Sequence, residues 1–264
     1  EIGDEDGWIV ASKFVPSRPN ISLVDRVRLI DRLEAGLSAK AVFLVAPAGF
    51  GKSTLLCQWF DSPHDKGAIF GWLNLDEADA APEQFLAYIT LCLAGAGAQL
   101  GQFEAAARNG FPDSRPQGVL SSLMRRISNL TERCVLILDD MHLAAAPETE
   151  ALLSQIIREA PPNFTLVVNS RIGPYIDLPT LVAAGDVVEI GAEQLRLTRA
   201  ESREALGTQI EESAAQEIFE LTEGWPVAVQ LARLQKQAQP DMAFQSGISS
   251  GLIASYLTRQ VLDM

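Results

Sequence analysis

Five short, mostly apolar runs punctuate the chain: Ala41–Val45, Ala68–Leu75, Cys134–Leu138, Phe164–Arg171, which ends in a polar Ser-Arg, and Asp186–Ile190. Each is short and rich in Val, Ile, Leu and Phe, the pattern of a strand covered on both faces. Between them apolar residues recur at helical spacing. The expected helices are Val27–Gly36, with Val27, Ile30, Leu33 and Leu37 on one face; Leu55–Phe60; Pro82 to about Leu100; Gln117–Leu130, through Leu120, Leu123, Met124 and Ile127; and Glu148–Glu159. Strands alternating with helices predict an α/β parallel sheet.

From Leu197 the strand pattern stops. Helices are expected at Arg199–Gly207, Glu211–Thr222, Pro226–Gln237 and Ser249–Asp263. Thr198 with Glu201 is a capping box. In Gly224-Trp225-Pro226, the glycine ends one helix and the proline opens the next with a pre-set φ. Three stretches read as irregular: an acidic, disordered segment over 1–12, an extended stretch Lys13–Pro19, and a surface excursion Gly101–Pro116. Asp76-Glu77-Ala78-Asp79 after the second strand either faces a ligand or forms a solvated turn, the turn being favoured.

The chemistry concentrates after the first strand. Ala46-Pro47-Ala48-Gly49-Phe50-Gly51-Lys52-Ser53-Thr54 joins it to a helix, which is the P-loop arrangement. A triphosphate packs several negative charges into a small volume. The N–H groups of Gly49 to Thr54 can turn inward at the positive end of the helix and cradle it. Gly49 and Gly51 permit φ values that side chains resist. Lys52 would reach the β- and γ-phosphates, and the Ser53 hydroxyl would ligate Mg²⁺. Ala48 belongs to the same loop. Ala46 stands where the usual motif begins with glycine.

Two acids, Asp139 and Asp140, follow the run Cys134–Leu138, at the strand end where open α/β sheets bind ligands. This is a Walker B pattern, with Asp139 for the Mg²⁺ shell and Asp140 to orient or deprotonate a water. His142 reads as a hydrogen-bonding scaffold. Arg171, at the end of the fourth strand, reads as a γ-phosphate sensor, against a surface salt bridge as its plainer role. The segment before the first helix, with Val24 and Arg26, either floors the adenine or straps the domain.

The 264 residues carry a net charge of −13, with 47% hydrophobic residues. That balance disfavours a phosphate-gripping nucleic-acid surface. Cys57, Cys92 and Cys134 all fall in apolar elements, and the only histidines are His64 and His142. Buried, reduced thiols in a cytoplasmic protein follow, with no zinc site and no membrane span. The chain lacks an initiating Met and stops inside a helical pattern, so a piece of a longer protein is expected.

The ordered motifs resemble the ATPase module of MalT-type, LuxR-family transcription activators, a branch of the STAND ATPases. The resemblance runs through Pro47–Thr54, Trp72 with Leu75-Asp76-Glu77, Leu138-Asp139-Asp140-Met141-His142-Leu143, Thr165–Arg171 and Gly224-Trp225-Pro226-Val227-Ala228. It implies a P-loop NTPase domain over 13–195, with a five-stranded parallel sheet flanked by helices, and a small all-α lid over 196–264. It also implies a switch, in which ADP holds a closed monomer and ATP permits self-assembly. Pro226 becomes a nucleotide contact on this basis, and Val24 and Arg26 are carried over with it. Inducer and DNA would be bound by regions outside these residues. An AAA+-like motor or loader and a P-loop small-molecule kinase are the rival classes. The first would show rapid, polymer-stimulated turnover and the second a phosphate acceptor other than water.

Overall fold

The computed structural model describes residues 8–18, 24–63, 67–111 and 115–238. Residues 1–7, Pro19, His64 and the expected helix Ser249–Asp263 lie outside them.

Strands β1 (Ala41–Val45), β2 (Ile69–Asn74), β3 (Cys134–Asp139), β4 (Phe164–Ser170) and β5 (Val187–Gly191) form one sheet in the order β2-β3-β4-β1-β5. Every neighbouring pair is parallel. Side chains alternate along each strand, which is why the runs are apolar throughout. Ala41, Phe43, Cys134, Leu136, Leu138, Leu166 and Val168 pack into one buried cluster. Val42, Leu44, Val135, Ile137 and Val167 pack into another.

Helices α1 (Val27–Gly36) and α2 (Lys52–Phe60) supply Leu29, Leu33, Leu55, Leu56 and Trp59 to the second cluster. The inward stripe of α1 is Leu29 and Leu33; Val27 is 61% exposed, because it lies roughly 160° round the helix from Leu29. The first cluster is closed by α3 (Pro82–Gly95), α4 (Gln102–Arg108), α5 (Pro116–Ser128) and α6 (Pro147–Glu159). Residues Phe85 to Leu93 of α3 are all buried, so this helix is apolar all round and needs a second cover. That cover corrects the expected surface excursion over Gly101–Pro116. Gln102–Arg108 of that stretch form α4, and Phe103, Ala106, Ala107 and Phe111 close over the cluster.

The segment before α1 also departs from expectation. Trp8 packs edge-on against Tyr88 at 5.4 Å between ring centroids, within the stretch expected to be disordered. Lys13 and Phe14, at the start of the expected extended stretch, instead close a 3-10 turn over Ala11–Phe14, and the backbone is extended at Val15. Lys13 is buried and bridges Asp79 at 2.5 Å and Asp76 at 2.8 Å. The Asp76–Asp79 turn is therefore not simply solvated: Asp79 is fully buried as the anchor for this strap.

Two further short helices, α7 (Leu178–Ala183) and α8 (Ala192–Leu195), flank β5. Then α9 (Arg199–Leu206), α10 (Glu212–Thr222) and α11 (Pro226–Ala238) follow. They enclose a third cluster of their own, from Leu197, Leu206, Ile210, Ala215, Ile218, Val229 and Ala232. Thr198 and Glu201 form the expected capping box.

Candidate functional site

Strands β1, β3 and β4 end side by side, and their loops bring Lys52, Asp139 and Arg171 to one edge of the sheet. The loop 46–51 turns back on itself through left-handed backbone at Gly49 (φ 82°) and Gly51 (φ 74°). Gly51 then caps α2, so the first-turn amides of that helix face the loop. Lys52 is buried and folds over the loop, its Nζ donating to the Ala46 carbonyl at 2.7 Å and to that of Pro47 at 3.1 Å. Burial lowers its pKa to about 8; Asp140 and Asp139 oppose the shift and Arg171 adds to it. A buried cation that, among the described residues, donates to carbonyls alone is a site prepared for an anion.

At the next residue of α2, the Ser53 hydroxyl donates to Asp139 Oδ1 at 3.0 Å. Asn169 on β4 donates its side-chain amide to both Ser53 Oγ, at 2.9 Å, and Asp139 Oδ1. Burial, then the charge of Asp140, pushes the Asp139 carboxyl above the usual range, against the pull of these hydrogen bonds. Ser53 and Asp139 together offer hard oxygen donors, one of them a carboxylate, which suits Mg²⁺ shared with phosphate oxygens and water. Asn169 was not singled out from sequence. Its signal was present: a lone amide among apolar residues of a fully buried strand.

Asp140 adopts left-handed backbone at φ 56°, turning its half-exposed carboxylate away from the strand. His142 contradicts its expected scaffold role. Among the described residues neither ring nitrogen has a hydrogen-bond partner; the Asp140 carboxylate approaches at 3.9 Å, and burial lowers the imidazole pKa. Arg171 lies close enough to act on the charges of both Lys52 and His142. Among the described residues it forms no ion pair.

The other half of the site lies across the P-loop. The Val227 N–H donates to the Gly49 carbonyl at 3.1 Å, and the rings of Phe50 and Trp225 lie 6.3 Å apart. A Cβ built on Gly51 would meet Pro226 at 3.9 Å. Between these parts is a cavity of about 230 Å³, whose walls include Val24, Arg26, Gly49, Gly51, Thr54 and Pro226. The guanidinium of Arg26 is already engaged: it donates to the Leu195 and Arg196 carbonyls at 2.7 and 3.2 Å, and pairs with Glu201 on α9 at 3.4 Å. Arg28 joins the same carboxylate at 3.1 Å. Arg26 therefore lines the cavity as a clasp onto the helical part, with its charge spent there. Glu201 was recognised from sequence only as a cap; its partners 173 and 175 residues upstream left no local trace.

The fold and this constellation define a P-loop ATPase module. Residues 23–168 match the family model described as AAA ATPase domain, over half of the chain's 264 residues, and the chain belongs to that family. It is 30% identical over 253 residues, 91% of its length, to the HTH-type transcriptional regulator MalT of two strains of Klebsiella pneumoniae. The resemblance to MalT-type regulators is thereby borne out, although the chain spans only 27% of the length of those relatives. Among solved structures, the Walker-type ATPase PABY2304 of Pyrococcus abyssi superposes with a TM-score of 0.59, covering 91% of this chain and 75% of that one at 13% identity; this likeness is one of fold. Among the described residues, no helix is long and apolar enough to cross a membrane.

Proposed function

We propose that the chain is the ATP- and ADP-binding, slowly hydrolysing switch module of a signal-responsive transcription activator. The observation that carries this reading is the docking of the Gly224-Trp225-Pro226 turn on the P-loop, with a cavity of about 230 Å³ walled by both. A nucleotide there touches the sheet domain (13–195) and the helical lid (196–264) together, so its affinity favours the closed arrangement. The amides of Gly49 to Thr54, with Lys52, hold the phosphates. Val24 and Pro226 bound the adenine, with Arg26 fixing that wall to the lid. Ser53 and Asp139 hold Mg²⁺, which supplies charge neutralisation at the phosphates when bound. Asp140 orients or deprotonates the attacking water, and Arg171 senses the γ-phosphate.

The likeness to a helix-turn-helix transcriptional regulator supports a cytoplasmic protein in which inducer and DNA are bound by other regions. ADP keeps this module closed and monomeric, and ATP permits self-assembly of the whole protein. The test is ADP affinity by calorimetry for the wild type, for Pro226→Ala, and for a chain cut before Leu197. Pro226→Ala should lose roughly 1 kcal/mol, by freeing the backbone that aims α11. Undiminished affinity after removing the lid would refute the shared site. Slow turnover, unaffected by added polymer, separates the switch from a motor.

A further inference from the structure

A second cavity, of about 420 Å³, shares no wall with the nucleotide cavity. It lies between the start of α6 and the loop that follows Arg171, lined by Ala146, Pro147, Glu150, Ala151, Ser154 and Tyr175. Three of those six side chains are apolar, and one is a carboxylate. Glu150 is only 8% exposed, and among the described residues its Oε2 has no hydrogen-bond partner. The backbone N–H of Tyr175 faces the same carboxylate. The Tyr175 side chain is 88% exposed, so an aromatic face stands free at the rim.

We propose that this cavity binds an organic cation, an ammonium or guanidinium group carried on a short apolar stem. A buried carboxylate oxygen without a donor is costly, and a cationic N–H donor removes that cost more fully than a neutral one. The free aromatic face attracts the same charge. The alanine and proline walls accept the stem. The volume lies in the range of small-molecule sites, larger than a single water needs. Burial pushes the Glu150 carboxyl above the usual range, opposed by the Tyr175 N–H and by its place in the first turns of α6, so an arriving cation supplies the counter-charge that the ionised form lacks. The cavity also touches both loops leaving the catalytic edge, since Ala145 and Ala146 follow the Asp139-Asp140 turn and Tyr175 follows Arg171. This site goes beyond the nucleotide reading and does not depend on it.

The test is ligand-observed NMR titration of the whole chain with n-butylguanidinium, against the uncharged isostere n-butylurea. The guanidinium should saturate with a Kd of about 1 mM or tighter, as expected of a fragment-sized ligand. The urea should bind at least about tenfold more weakly, since it offers no charge to the carboxylate. Glu150→Gln keeps the shape and should lose about tenfold in guanidinium affinity. Tyr175→Ala, at an exposed position that leaves folding unaffected, should lose about threefold or more. A blocked peptide with one arginine identifies the source: tighter binding than free guanidinium means a protein side chain, weaker binding a free small molecule. The proposal is overturned by absence of saturation, by equal affinity for the urea, or by unchanged affinity in either variant.

Discussion

Lys52 is the residue on which most rests. Its pKa of about 8, against an ordinary 10.5, reflects burial without a full counter-charge. Phosphates supply that charge, so the bound form should have the higher pKa. At pH 8.5, ADP binding should therefore take up a fraction of a proton, and affinity should fall as pH rises above 8. Calorimetry in buffers of different ionisation enthalpy measures the uptake directly; proton release on binding would contradict the assignment. The linkage also sets the sign for stability. Because the folded pKa is lowered, the cost of burying the charge is full below about 8 and fades as pH approaches 10.5. Lys52→Met should accordingly stabilise the nucleotide-free protein while abolishing most nucleotide affinity.

Asp139 and Asp140 are neighbours with different surroundings. Asp139 is 3% exposed and tied to Ser53 and Asn169; Asp140 is half-exposed and held out by its left-handed backbone. Asp139→Ala should weaken the Mg²⁺ dependence of ATP binding. Asp140→Ala should preserve binding and slow hydrolysis by about 100-fold, the scale of a lost general base. Equal losses of ATP affinity in both variants would remove the division of labour.

Among the elements, the turn from α10 to α11 is the most constrained. Gly224 has a φ of 71°, and a Cβ there would stand 2.2 Å from the Leu197 carbonyl oxygen. The Leu197 N–H in turn donates to the Gly224 carbonyl at 2.7 Å. Only glycine allows the backbones to meet so closely. Gly224→Ala should destabilise the helical part by about 2 kcal/mol or more, as overpacking against backbone does, and should weaken ADP binding with it. Circular dichroism melts and calorimetry read the two effects; a neutral variant would show that the turn is not needed for the shared site.

The same turn marks what the sequence could and could not disclose. Its helix-ending glycine and helix-opening proline were legible, because both act through their own φ. Its second duty, the close approach to Leu197, depends on a residue 27 positions away in the chain. The five strands were legible because both faces of the sheet are covered. By contrast, α4 was read as a loop because its role is to cover the uniformly apolar α3, a need that belongs to α3 and not to the stretch itself. At the site, the P-loop and the acids at the end of β3 announced themselves by spacing. Asn169 and the clasp of Arg26 and Arg28 on Glu201 are products of tertiary placement.

At the scale of the whole molecule, a net charge of −13 sets copies of the chain against one another. The ADP-loaded chain should scatter light as a monomer at low salt, and screening alone should not assemble it. A stable ADP-bound oligomer would overturn the proposed resting state. The clasp should matter at this scale as well. Glu201→Gln leaves the capping geometry available but removes the charge that holds Arg26 and Arg28, so the lid should open more often. Faster proteolysis between residues 195 and 199, with an unchanged melt of the sheet domain, would register that opening.

The hydrogen bond from Val227 to the Gly49 carbonyl has a mechanical meaning. The Gly49 C=O and the Phe50 N–H belong to one flat, rigid plate, and in a trans peptide they point in opposite directions. Holding the carbonyl toward α11 therefore aims the Phe50 amide to the other side of the loop. If α11 moves away, the plate loses the grip it has on that side among the described residues and can rotate, because the glycine before it resists neither setting. One peptide unit would thus act as a rocker between lid and phosphate. The exchange rate of the Val227 amide proton counts how often it is released.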